Sequence, residues 1–123
     1  MQLDPVIVVG MCPSHKPLLG NKTNASLRKL HSWMDSLNVY HYSFINTFDY
    51  PANPRISNVD FSVLEKACLG YNKILALGGF VSDVLNRIEV EHFSLPHPSP
   101  LNRLLNDKKY EDKILKQCKE YLI

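Results

Sequence analysis

"PVIVVG", residues 5–10, is the stretch whose reading decides the fold. Four β-branched apolar residues follow one another with no polar residue between them, and Gly10 ends the run. A strand with one face in water alternates apolar and polar residues, whereas a strand covered on both faces is apolar throughout, as in a parallel sheet between helices. β-Branched side chains also favour extended backbone. The run is therefore expected to be an inner strand of an α/β domain.

The flanking segments support that expectation. Thr23 or Asn24 can cap a helix reaching about Leu37, in which Leu27, Leu30, Trp33, Met34 and Leu37 recur at helical spacing and form a core-facing stripe. "VYHYSFI", residues 39–45, reads as a second strand, and Asn58 or Asp60 opens a helix closing near Gly70. "KILAL", residues 73–77, is a third strand, and the chain turns through Gly78 and Gly79 into a helix over about Phe80 to Arg87. A short fourth strand is expected around Glu91 to Leu95, then a last amphipathic helix from roughly Leu104 to Leu122 that offers Leu104, Leu105, Ile114, Leu115 and Cys118 to the core. Strand and helix alternate, so the crossovers are right-handed and the sheet is parallel. The expected architecture is a three-layer α/β/α domain with about four parallel strands, spanning residues 1–123 as one unit.

Composition narrows the functional classes. The formal net charge is only +2, too mild to indicate a nucleic-acid partner without local clustering. Cys12, Cys68 and Cys118 are odd in number and show no CxxC spacing, which argues for reduced thiols and against a disulfide framework, a zinc site or an iron–sulfur site. The apolar runs fall far short of the ~20 residues of a membrane-spanning helix. The opening "MQLDPVIVVG" carries an acid where an export signal would be basic, so a cytoplasmic location is expected. There is no internal repeat or low-complexity tract.

In a parallel sheet, ligands bind beyond the carboxyl ends of the strands. Four segments should meet there: "GMCPSHK", "NTFDYPANPR", "GGF" and "PHPSPLNR". The last is stiffened before anything binds, because Pro96, Pro98 and Pro100 fix their own φ and bias the preceding residues toward extended backbone.

The motifs "GMCPSH", "FIN", "ALGG" and "HPSPLNR", in that order and each at a strand end, resemble those of the uracil-DNA glycosylase superfamily. The resemblance spans residues 6–103, rests most heavily on "HPSPL", and would make this chain a short member of the superfamily. It implies a four-stranded parallel sheet between helices and an enzyme that flips uracil out of single- or double-stranded DNA and hydrolyses its N-glycosidic bond. No metal or cofactor is implied.

Roles follow from that chemistry. Breaking the bond leaves negative charge on the departing base, so a donor must face the base oxygen, and His97 as a neutral imidazole is suited to this. The amide of Asn46 offers one donor and one acceptor, which match the edge of a uracil-type ring and mismatch that of cytosine. Phe48, Tyr50 or Phe80 could stack on the ring. Leu101 at the loop tip would wedge into the stack and keep the base extruded. Ser14 and Ser99 could hold phosphates, with Asn102, Arg103, Lys16, Lys22, Lys108 and Lys109 completing the DNA contact.

Two positions depart from the superfamily pattern. Cys12 stands where relatives carry an Asp or Asn that orients the attacking water, which leaves that task to electrostatics or to His15 or Asp49. Ser14 replaces a bulky tyrosine and leaves room for a 5-substituent on the base. Two further readings are a catalytically silent DNA- or protein-binding module with the same loops, and an enzyme acting on modified pyrimidines.

Overall fold

The structure is a computed structural model and describes residues 5–11, 25–48, 53, 55–98 and 102–123. Its strands are β1 (Val6–Gly10), β2 (Ser43–Asn46), β3 (Lys73–Leu77) and β4 (Phe93–Leu95). The helices are α1 (Ala25–Ser36), α2 (Phe61–Cys68), α3 (Gly79–Arg87) and α4 (Lys108–Leu122). Short 3-10 turns occupy Ile56–Asn58 and Arg103–Asn106. The strands form one sheet in the order β2-β1-β3-β4, and every pairing is parallel.

The two inner strands are β1 and β3, the continuous apolar runs. Residues of β1 point alternately to two apolar layers. Val6 and Val8 pack with Leu30, Trp33, Met34, Leu75, Leu95, Cys118 and Leu122, beneath α1 and α4. Ile7 and Val9 pack with Leu64, Ile74, Ala76, Val81, Val84 and Leu85, beneath α2 and α3. Apolar residues on both faces of the inner strands thus produce the three layers, helices on sheet on helices.

Element boundaries differ from expectation where local backbone chemistry intervenes. The second strand begins at Ser43, not Val39. Asn38 adopts φ 62°, and Val39 N–H donates to Met34 C=O at 2.9 Å. This left-handed closure ends α1, with buried Val39 as its apolar follower. Asp60, not Asn58, caps α2, its side chain accepting from Val63 N–H, and that helix ends at Cys68. The fourth strand is confined to Phe93–Leu95.

The last helix starts at Lys108, because Asp107 accepts from Lys109 and Tyr110 N–H and so starts a new helix there. Leu104 lies in the 3-10 turn before it and is 57% exposed, so it does not join the core; Leu105, Ile114 and Leu115 are partly buried against it. The expected caps Thr23 and Asn24 lie outside the described residues.

Two further ties hold α4. Buried Glu111 places Oε2 2.6 Å from Lys29 Nζ on α1, and Oε1 3.8 Å from Lys108 Nζ. At the other end Lys73 Nζ donates to Tyr121 C=O at 2.9 Å and Ile74 N–H donates to the Tyr121 hydroxyl at 3.1 Å. The helix therefore runs from the carboxyl-end rim of the sheet back to its amino end.

Cys68 and Cys118 are free and buried; burial pushes both thiols up, Cys118 to about 12, so they are protonated near neutrality and poor nucleophiles. Among the described residues, no helix is long and apolar enough to cross a membrane.

Candidate functional site at the strand ends

Each inner strand ends in or just before a glycine, and a side chain at or just beyond the end of the neighbouring outer strand packs against it. Gly10 ends β1 and is in register with Asn46, the last residue of β2. A Cβ added at Gly10 would stand 2.8 Å from Asn46 Oδ1 and 2.8 Å from Phe44 Cζ. Both distances are inside van der Waals contact, so the Asn46 amide occupies space that only glycine leaves open.

Gly78 plays the matching part after β3. It has φ +93°, a conformation that side chains with a Cβ rarely adopt, and this turns the strand into α3. Its N–H donates to Leu95 C=O at 2.8 Å, tying the exits of β3 and β4 together. A Cβ there would stand 3.4 Å from His97 Cβ and 3.7 Å from His97 Cδ2.

The outer strands β2 and β4 are three strand spacings apart, about 14 Å. Asn46 Oδ1 borders Gly10 at the end of β1, and the Cβ and Cδ2 of His97 border Gly78 just after β3, so the two side chains pack at the ends of adjacent inner strands.

His97 sits between half-buried Pro96 and buried Pro98 and is itself exposed. Desolvation by the surrounding loop lowers its pKa from the ordinary imidazole value of 6.5, favouring the neutral ring. The loop is fastened from inside by Asn102. Its Nδ2 donates to His97 C=O at 2.9 Å, and its Oδ1 accepts from Leu104 N–H at 3.1 Å, capping the following 3-10 turn. Both ends of this amide thus have partners within the loop. Arg103 is exposed beside it.

Below Asn46 lies a cavity of about 730 Å³ between β2 and α2. Asn46, Thr47, Phe48, Asp60, Phe61 and Phe44 are among its lining residues; His97 is not among those described. Phe48 is buried at 4% exposure, so at most a limited part of its ring meets a ligand. Phe80 is half-buried against the layer beneath α2 and α3. Thr47 fixes the floor: its N–H donates to Gly10 C=O at 2.9 Å and its hydroxyl to Met11 C=O at 2.6 Å, continuing the β1–β2 pairing past the last strand residue.

Of the residues singled out in the sequence, Cys12, Ser14, His15, Lys16, Lys22, Asp49, Tyr50, Ser99 and Leu101 lie outside the described residues. Lys108 and Lys109 are exposed in the first turn of α4. No group of three or more His, Cys, Asp or Glu placed to hold a metal ion occurs among the described residues.

A polar pair unforeseen in the sequence joins α3 to the entry of β4. His92 Nδ1 lies 2.8 Å from Val90 C=O, which can only accept, so Nδ1 carries the proton. In the neutral ring Nε2 is then an acceptor, to which the Ser82 hydroxyl, 2.7 Å away, can donate. The signal was faint, a histidine just before a strand. Three-residue β4 is short for a strand, and this pair anchors its start.

Compared with protein-family models, curated proteins and solved structures, the chain matches none of them.

Proposed function

We propose that the protein is a DNA glycosylase of the uracil-removing type, which extrudes a pyrimidine into the rim of the sheet and hydrolyses its bond to deoxyribose. The observation that carries this reading is the paired arrangement at the inner-strand ends, with Asn46 on Gly10 and His97 on Gly78. An amide reads the base by one donor and one acceptor, and a neutral imidazole donates to the oxygen on which charge develops. The ordered motifs at all four strand ends support the same reading.

In this mechanism the base leaves the duplex, because its reacting bond is inaccessible within the stack. Asn46 orients the ring, and His97 stabilises the anion left on it as the glycosidic bond lengthens. Water then completes the hydrolysis at the sugar carbon. The chemistry needs no metal or redox cofactor.

The test is the release of free uracil, with alkali-labile abasic sites, from a uracil-containing oligonucleotide. Release supports the proposal. Binding without release favours the silent-module reading, to which Cys12 in place of a carboxylate or amide already points.

The state of His97 predicts the pH profile. Its pKa is lowered, so the neutral donor persists as pH falls through the ordinary value of 6.5, and the acidic loss of activity should be centred below that pH. A log-rate profile against pH with its acidic midpoint above 6.5 would contradict this. The linkage has the same sign: folding disfavours the protonated ring, so this contribution to stability is fully present above the unfolded-state value and is lost as pH falls from there through the lowered folded-state value.

A further inference from the structure

We propose that the outward face of α4 is a track for nucleic-acid phosphates flanking the bound base, an inference that rests on the base-excision reading for its choice of partner. Glu111, Cys118 and Leu122 mark the buried side of the helix. Lys109, Lys113 and Lys116, at i, i+4 and i+7, fall on the opposite, exposed side. Along the axis they are about 6 Å and then about 4.5 Å apart.

Part of the local electrostatics opposes this arrangement. Lysine in a first helical turn faces the positive end of the helix dipole, and Lys108 and Lys109 both stand there. Lys109 with Lys113, and Lys113 with Lys116, are like-charge neighbours at repulsive spacings. Glu111, the acid of the first turn, is turned inward onto Lys29 and Lys108, so little of its charge offsets the outer row. Glu120, four residues after Lys116, continues the same stripe at its far end, and Asp112 lies beside it three residues after Lys109 and four before Lys116, yet within the described residues Lys109, Lys113 and Lys116 form no ion pair. The result is a ridge of three exposed lysines with one acid at its far end, whose like-charge repulsion an anionic polymer would relieve.

Position selects the polymer. The ridge starts at the rim, where the loop bearing His97, Asn102 and Arg103 leads into the 3-10 turn and then α4. A strand whose base is held at the rim would carry its neighbouring phosphates past Arg103 onto Lys109, and from there along the helix.

The experiment measures the affinity of the full chain for a single-stranded and a duplex oligonucleotide over a range of salt, alongside uracil release. Each lost phosphate contact reduces the slope of log affinity against log salt by about 0.7 on single strands and about 0.9 on duplex. The triple variant K109Q/K113Q/K116Q, which keeps good helix formers, should lower the slope by about 2 to 3. K109R/K113R/K116R should retain the parental slope. An unchanged slope in the glutamine variant overturns the track, as does absence of nucleic-acid binding by the parent. Loss of binding to phosphatidylserine-rich vesicles with no change on DNA would overturn it in favour of a membrane surface. If the slope falls while the parent releases no uracil, the track stands and the base-excision reading alone fails.

Discussion

Replacing His97 by alanine should lower turnover on a uracil-containing oligonucleotide by about 100-fold or more, the scale seen when a donor to a developing oxyanion is deleted. The reason lies in timing: the base oxygen is a weak acceptor in the bound substrate and a strong one as the glycosidic bond breaks. An interaction made mainly in the transition state affects the rate more than substrate binding. The loss should therefore appear in kcat, with KM little changed. His97 is exposed and its backbone is held through Asn102, so the variant should remain folded. Equal turnover by variant and parent would remove His97 from the reaction.

Gly10→Ala is expected to act almost as strongly, though residue 10 has no side chain to offer the substrate. The new methyl carbon would meet Asn46 Oδ1 and Phe44 Cζ, each at 2.8 Å. Phe44 is 42% exposed and can swing outward, whereas Asn46 is held between its pairing with Gly10 and the Thr47 bonds that follow. The amide must move, and a displacement on the order of 1 Å in a positioning group can cost about 100-fold in rate. Uracil release should fall toward that of Asn46→Ala, while thermal unfolding shifts by only a few degrees. If Gly10→Ala releases uracil at the parental rate while Asn46→Ala does not, the amide's packing on Gly10 has no functional role.

The fold was legible where a pattern depends on the chain alone. The unbroken apolar run at Val6–Val9 identifies a doubly covered strand, and the structure makes it inner; Ile74–Leu77, expected only as a third strand, lies in the other inner strand. What escaped the reading depends on partners distant in sequence or on backbone hydrogen bonds. Val39 looks like a strand residue but serves as the apolar follower of a helix end, because Asn38 can adopt a left-handed φ. Leu104 looks like core but is exposed, because Asp107 caps α4 three residues later.

At the site, Asn46 and His97 were legible as polar residues just beyond apolar runs. The glycines beneath them read only as turn residues, because close approach of a side chain to a neighbouring strand has no sequence signature. Asn102, expected at the DNA contact, also fastens its own loop through both ends of its amide, a role set by where His97 C=O and Leu104 N–H meet.

The central claim is that one amide and one imidazole, each leaning on a glycine at an inner-strand end, hold the same pyrimidine ring. Titration of the isotopically labelled protein with free uracil, followed by the Asn46 side-chain amide and His97 ring resonances, tests it most directly. The account predicts that both signals move together, with one dissociation constant, and that Asn46→Ala abolishes the His97 response. Movement of only one of them, or two responses with separate constants, would contradict it.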